Sequence, residues 1–416
     1  MMGRQVHAAI VGGGAAGLAG AVMLSRARPD WRILVLEKAP RTGRKLLATG
    51  SGTCNLTNLE AAPQRYHGEK AGFAQAALAA FPPRAAMRFF ESMGVSCRAR
   101  ANGRVYPLCE SAAAVLDCLR LELSARGVEE RCGCPVTRID RERAGGFVLQ
   151  TPGGPVYAAR VLVAAGGAAA PSLGGSGDGY ALLTALGHAR TPLFPTIVQL
   201  KTDTTFVRAV KGLRAEGTVS LWLEGERLAA ETGEILFTDY GLSGPAVMQI
   251  SRFAGDWERR RQGTMEARLD LLPESAEESL LPELWERRRI LGDRLLEDFL
   301  TGLLQRRIGQ TVLRAAGIGP LSRRAESLTD GELEDVARTL KGWRLPVTGT
   351  AGFGGAQATA GGIATDGFDP RTLESRLVPG LYAAGEVLDI DGDCGGFNLQ
   401  WAWASAHAAT AAMAKG

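Results

Sequence analysis

Residues 6–37 read VHAAIVGGGAAGLAGAVMLSRARPDWRILVLE. The apolar run Ala8–Val11 predicts a buried parallel strand. The Ala- and Leu-rich stretch after the glycines predicts a helix packed on it, and Ile33–Leu36 a second strand. Gly12, Gly14 and Gly17 make G-x-G-x-x-G between strand and helix, and Glu37 follows 20 residues after Gly17. This is the dinucleotide fingerprint in the strand–turn–helix setting that gives it meaning. Gly12 permits the tight turn, Gly14 lets backbone approach a pyrophosphate, and Gly17 lets helix and strand touch. The helix start offers free N–H groups and a positive dipole end to phosphate. A carboxylate at Glu37 accepts hydrogen bonds from an adenosine ribose and disfavours a 2′-phosphate, so FAD or NAD fits better than NADP. The stretch alone leaves open which dinucleotide.

A chain of 416 residues is too long for one core, and two or three domains are expected. Its 45% hydrophobic and 22% charged content is that of an ordinary globular protein. A net charge of +4 does not by itself imply nucleic acid. The seven cysteines (54, 97, 109, 118, 132, 134 and 394) are irregularly spaced, with no Cys-x-x-Cys. That pattern argues against a zinc ribbon or a redox pair, and it fits reduced thiols in a cytoplasmic protein. No metal site is expected. Arg4 before an apolar run imitates a targeting segment, but three glycines break the run and it reads as the first strand. No stretch has the apolar length of a membrane span.

After Glu37, residues 38–58 (KAPRTGRKLLATGSGTCNLTN) lack periodicity and read as a functional loop. Arg44 and Lys45 suit phosphate there, and the small residues 50–53 suit backbone lying against a flat ring. Two short helices are expected over 72–93, separated at Pro82-Pro83, and an amphipathic helix over 111–126. Strands are expected at 135–139, 147–149 and 159–165, the last ending in Gly166-Gly167. The glycine turn 174–179 follows no strand directly and is not a second fingerprint. From about 191 the texture changes. Strand-like pieces at 198–201, 219–223 and 234–237 precede GLSGPAVMQISR (241–252), where Ser243 reads as an N-cap with Pro245 in the first turn. Residues 277–342 read as charged helices, with a capping box at Thr329 and Glu332. The runs Arg259–Arg261 and Arg287–Arg289 are interleaved with Glu and Trp and read as solvated helix faces. After Gly349 the glycine-rich texture returns. A strand at 381–384 leads to Gly385-Glu386, and a helix is expected over 399–413. The chain thus leaves the nucleotide fold, builds something else and returns to complete it. This discontinuity favours FAD over a simple NAD dehydrogenase.

The stretches GRKLLATGSGTCNLTN (43–58), GLSGPAV (241–247), GLYAAGEVLDIDG (380–392) and GGFNLQWAWASA (395–406) together resemble the BaiN-like, or aminoacetone-oxidase-like, family of FAD-dependent oxidoreductases. Members often carry Arg where this chain has Thr53. The resemblance implies an α/β fold: a Rossmann-like FAD domain with a parallel sheet, built from both termini (1–190 and 350–416), an inserted β-rich domain (191–275) and a small helical domain (276–349). It implies pyrophosphate contacts at Gly12, Gly14, Ala16 and Gly17, ribose at Glu37, and cofactor lining by Lys38, Arg44, Lys45 and Leu46. Cys54 and Asn55 are implied near the flavin, Val136 at the adenine, and Ala165 and Gly166 beside the pyrophosphate. Gly385 and Glu386 are implied at the ribityl or phosphate part with Asp389 assisting, and Asn398, Leu399 and Gln400 at the pyrimidine end.

A helix starting near Leu399 aims its first N–H groups at whatever precedes it, which suits the negative charge of a reduced flavin. No acid–base residue is evident. Cys54, which has no cysteine partner five residues on, and Tyr240 beside the GLSGP turn are weak catalytic candidates. His188 reads as a helix C-terminal cap. The expected function is hydride transfer between a small organic substrate and flavin N5, with NAD(P)H or O2 as second partner. The resemblance admits both reduction of conjugated enones and oxidation of small amines. A flavin-free NAD-dependent dehydrogenase and a flavin-bearing RNA-binding or RNA-modifying protein are the alternatives. In the favoured reading no nucleic acid or membrane partner is expected.

Overall fold

The computed structural model describes residues 5–142 and 145–415, so Arg4 lies outside the described residues. The chain divides into two compact units, residues 1–194 with 357–416, and residues 195–356.

In the first unit β1 (Val6–Val11), a helix α1 (Ala15–Ala27) and β2 (Ile33–Leu36) form the βαβ start. The sheet is completed by β3 (Glu129–Arg131), β4 (Arg138–Arg141), β5 (Phe147–Gln150), β6 (Val156–Val163) and β7 (Leu381–Ala383). Its order is β3-β2-β1-β6-β5-β4, with β7 also joined to β6. β1 runs parallel to both neighbours, so Ile10 lies between Val35 and Leu162. β6 changes partner along its length. Val156–Ala158 pair antiparallel with β5, and Val161–Val163 pair parallel with β7. Residues 8–10, 34–36 and 161–163 are buried, as a sheet covered on both faces requires. The strand expected from Pro135 starts only at Arg138. Proline has no N–H for a ladder, and the preceding N–H groups of Gly133 and Cys134 bond to Ala39 O and Glu37 O.

The C-terminal helix spans Phe397–Lys415, beginning two residues before the expected start. It meets α1 through small residues: a Cβ on Gly20 would stand 3.4 Å from Thr410 and 3.6 Å from Ala406. Its two indoles reach backwards. Trp401 Nε1 donates to Gly385 O (3.1 Å) and Trp403 Nε1 to Leu56 O (2.8 Å). Helices Ala74–Ala80 and Pro83–Glu91 part at the expected prolines. Helix Ala112–Ala125 is capped by Ser111.

The second unit holds a closed antiparallel barrel of strands Leu200–Thr202, Gly241–Ser243, Glu226–Phe237, Arg214–Leu223, Met265–Asp270 and Trp343–Thr350. Helices Glu277–Leu291, Arg306–Ala315 and Asp330–Gly342 share one hydrophobic core with it, Leu284 and Leu333 joining Leu221 and Ile235. The Thr329–Glu332 capping box forms. Ser243 is not the N-cap expected of it. It ends a barrel strand, and the cap of helix Pro245–Arg260 is Gly244 at φ +101°. A Cβ on Gly244 would lie 2.6 Å from Glu234 O, so the close strand, not side-chain capping, selects the residue. The run Arg287–Arg289 is engaged within the unit. Arg287 donates to Phe299 O and Thr301 O, Arg288 to Leu328 O and Asp330, and Arg289 to Glu286. Among the described residues no helix is long and apolar enough to cross a membrane.

Candidate dinucleotide site

The three fingerprint glycines have three different surroundings. Gly12 is left-handed (φ +106°), and a Cβ there would lie 2.5 Å from Ala164 O, so it sets both the turn and the approach of β6. A Cβ on Gly17 would lie 1.9 Å from Gly12 O, which is the close contact between helix and turn. At Gly14, the N-cap of α1, a Cβ would meet nothing within 4 Å. Gly14 thus leaves open space at the start of α1, the arrangement a phosphate-receiving turn requires. Gly166 borders open space in the same way at φ +72°. Ala16 is buried in the first turn of α1, and a Cβ on Gly385 would lie 3.1 Å from its methyl group. Glu37 stands at the end of β2. Its carboxylate accepts from Gly13 N and Ala39 N, both at 2.7 Å, and so is held in place beside the glycine turn.

The expected cations converge on this end, each with a protein partner. Lys45 Nζ pairs with Glu386 Oε2 at 2.7 Å. Lys38 pairs with Asp178 at 2.7 Å and also reaches Ser176. Arg44 Nη2 donates to Ser172 O at 2.7 Å. Burial works against the Asp178 charge, but the Lys38 ammonium and the Ser176 hydroxyl outweigh it and hold the carboxyl below its usual range. Leu46 is buried in the core beside these side chains, as is Val136 in the loop that runs along Glu37. Thr359, which the sequence did not single out, organises the strand-end loop. Its hydroxyl accepts from Ala168 N and Ala169 N at 2.9 Å, and its own N–H donates to Glu386 Oε1 at 2.8 Å. Glu386 thus ties Lys45 to the loop that follows Ala165 and Gly166.

At the far end Asn55 Oδ1 is buried without a partner among the described residues. A Cβ on Gly396, just before the C-terminal helix, would lie 2.9 Å from that oxygen. Asn398 grips Gly392 at both ends of its amide, accepting from the N–H (2.9 Å) and donating to the carbonyl (2.8 Å). Because the helix begins at Phe397, the N–H groups of Asn398 and Leu399 belong to its first turn. Gln400 departs from the expected role. Its N–H already bonds to Gly396 O, and its fully buried side chain joins Thr57 Oγ1 to Phe81 O at 2.6 Å each. Asp389 is also buried and accepts from Glu69 N at 3.0 Å.

Neither weak catalytic candidate gains from its surroundings. Cys54 is fully buried, and burial pushes its thiol up to about 12, so it is a packed thiol and not a nucleophile at neutral pH. Tyr240 is an exposed residue of the second unit whose carbonyl accepts from Thr202 N. His188 corrects another reading. The helix end is closed by backbone, His188 N to Leu183 O after a left-handed Gly187, while the ring is buried against Phe368.

An open phosphate cradle at one end and a buried, unpaired carbonyl oxygen at the other suit a long dinucleotide with a polar ring edge, as in FAD. The HI0933-like protein Rossmann domain family matches residues 6–412. The chain belongs to this family. The protein is an FAD-dependent oxidoreductase of Rossmann fold. It is 38% identical over 415 residues to the 3-dehydro-bile acid delta(4,6)-reductase of Clostridium scindens, covering 98% of each chain. It is 31% identical over 410 residues to the ribosomal RNA dihydrouridine synthase of Escherichia coli, covering 97% of each. Among solved structures, a quinol-fumarate reductase with menaquinol shares the fold at a TM-score of 0.51 and 19% identity, over 100% of this chain and 72% of that one.

Proposed function

We propose that this protein is an FAD-dependent reductase that saturates a carbon–carbon double bond conjugated to a carbonyl in a small ring substrate, drawing electrons from NADH or NADPH. One observation carries the reading. Two relatives matched nearly end to end are named for the same elementary change. The 4,6 double bonds of a 3-dehydro steroid acid are conjugated to its ring ketone. Uridine becomes dihydrouridine when a ring double bond, also conjugated to a carbonyl, is saturated. The shared chemistry is transferred here, not either substrate. The higher identity to the bile-acid reductase favours a small molecule.

Bound FAD supplies the two-electron carrier, and the protein supplies position and field. Gly12, Gly14 and the start of α1 receive the pyrophosphate, and Glu37 the ribose. Lys45 and Glu386 hold the strand-end loops around the middle of the cofactor. Asn55 Oδ1 accepts from the flavin imide, and the first turn of the C-terminal helix favours negative charge on the reduced ring.

The test is anaerobic. The flavin is mixed with NADH or NADPH, then with cyclohex-2-enone or a 3-oxo-4-ene steroid, and its absorbance is followed. Rapid bleaching by a nicotinamide and recovery with an enone are expected. Indifference to both nucleotides, with peroxide formed in air after addition of a small amine, would replace the reading with an amine oxidase. The E. coli relative supports a second reading, ribosomal RNA as the substrate. Flavin recovery with unmodified ribosomal RNA, but with neither enone, would select it. The engaged run Arg287–Arg289 lends that reading no support.

A further inference from the structure

Saturating a conjugated double bond takes a proton as well as a hydride, and no residue placed so far has one to give. Beside the first turn of the C-terminal helix stands a histidine–carboxylate pair. Strand Tyr66–His67 runs antiparallel to strand Asp391–Gly392, with His67 opposite Asp391 and Tyr66 opposite Gly392. The next residue, Asp393, turns back onto the ladder. Its N–H donates to Arg65 O at 3.0 Å, and its Oδ1 lies 2.8 Å from His67 Nε2. Arg65 Nη1 donates to the other carboxylate oxygen at 3.3 Å. The Asp393 side chain is only 13% exposed, whereas that of His67 is 36% exposed.

The pair is anchored to the turn that the cofactor reading assigns to the flavin. Tyr66 Oη donates to Phe397 O at 3.1 Å, and the Arg65 guanidinium lies over the Phe397 ring at 5.8 Å. Asn398 grips Gly392, the residue before Asp393. The other charged groups around the ladder are Glu60, which meets Arg65 at 3.4 Å, Asp391 across the register, and Asp389, which accepts from Glu69 N. Asp393 and His67 are 326 residues apart. Neither belongs to any motif in the sequence, and only the fold brings them together.

We infer that His67, oriented by Asp393, is the acid that protonates the substrate carbon next to the carbonyl. This rests on the function proposed above. The carboxylate fixes the proton on Nε2, which leaves Nδ1 as the ring nitrogen that gives one up. The bonds balance. Bound FAD would supply the hydride for the carbon remote from the carbonyl, and the π pair would form the new C–H bond with the proton that His67 gives up from Nδ1. The imidazolium becomes neutral and is refilled from water at its exposed edge. The substrate is reduced and the flavin oxidised.

The test isolates the oxidative half-reaction. Holoenzyme reduced by dithionite is mixed without oxygen with cyclohex-2-enone and with a 3-oxo-4-ene steroid, from pH 5.5 to 9. For the wild type, recovery should slow as pH rises and the acid loses its proton to solvent. It should also be slower in D2O, with one deuterium placed next to the product carbonyl. His67→Gln should recover about 100-fold more slowly or worse, within the range for a general acid, and lose that pH limb. Asp393→Asn should slow recovery less than His67→Gln and leave a solvent isotope effect in place. A structural latch would leave both limb and isotope effect in place in His67→Gln. His67→Gln recovering at the wild-type rate, or a wild type with no solvent isotope effect, would overturn the inference alone. A wild type that neither enone reoxidises would overturn the function first, and the inference with it.

Discussion

The two ends of the cofactor site are built on opposite plans. The proposed adenosine end is mostly local: glycines, helix start and acid lie within residues 12–37, Gly17 against Gly12 O and Glu37 to Gly13 N stay inside that stretch, and the approach of Gly12 to Ala164 O leaves it. The flavin end is assembled from afar. Trp403 reaches Leu56, Gln400 joins Thr57 to Phe81, and Lys45 meets Glu386, over separations of 319 to 347 residues. The first plan uses backbone shape, so one side chain in the wrong place destroys it. The second uses side-chain hydrogen bonds, so it weakens by degrees.

The sharpest test of that contrast is Gly14→Val. A Cβ here meets no protein atom within 4 Å, so the apoprotein should melt close to the wild-type temperature while FAD is lost on purification. Stoichiometric flavin in this variant, read from the absorbance ratio, would break the local half of the comparison. Gln400→Ala should act in the reverse sense. It strands Phe81 O and Thr57 Oγ1 in the core and should cost about 2–4 kcal/mol of stability in denaturant, while the folded fraction still binds FAD. Loss of FAD without loss of stability would instead give Gln400 the direct cofactor role first expected of it. A smaller effect belongs to Trp403→Phe, which keeps one aromatic ring but removes the pyrrole ring with its N–H. About 1–3 kcal/mol is expected, seen as a drop in the denaturation midpoint.

The same contrast explains what could be read from the chain. β1, α1, β2 and Glu37 were legible because pattern and spacing report local structure. The C-terminal strand and helix were legible as elements, although the helix start was set two residues late, since Asn398 resembles a loop residue until its grip on Gly392 is seen. Ser243 was misread because a hydroxyl before Pro245 imitates an N-cap, while the neighbouring strand that demands Gly244 is invisible in the sequence. The engagement of Gln400, the role of Thr359 and the meeting of His67 with Asp393 were not legible, because each depends on a partner chosen by the fold. The resemblance implies Cys54 near the ring, and only the fold shows its thiol to be fully buried.

The C-terminal helix has a consequence for biosynthesis. Its indoles fasten Gly385 and Leu56, and its first turn carries Asn398, so the flavin end has no floor until residues 397–415 have been made. Helix α1 itself packs on that last helix through Gly20, so both ends of the proposed site wait for it. In the proposed reading, loading with FAD is therefore a late step in maturation.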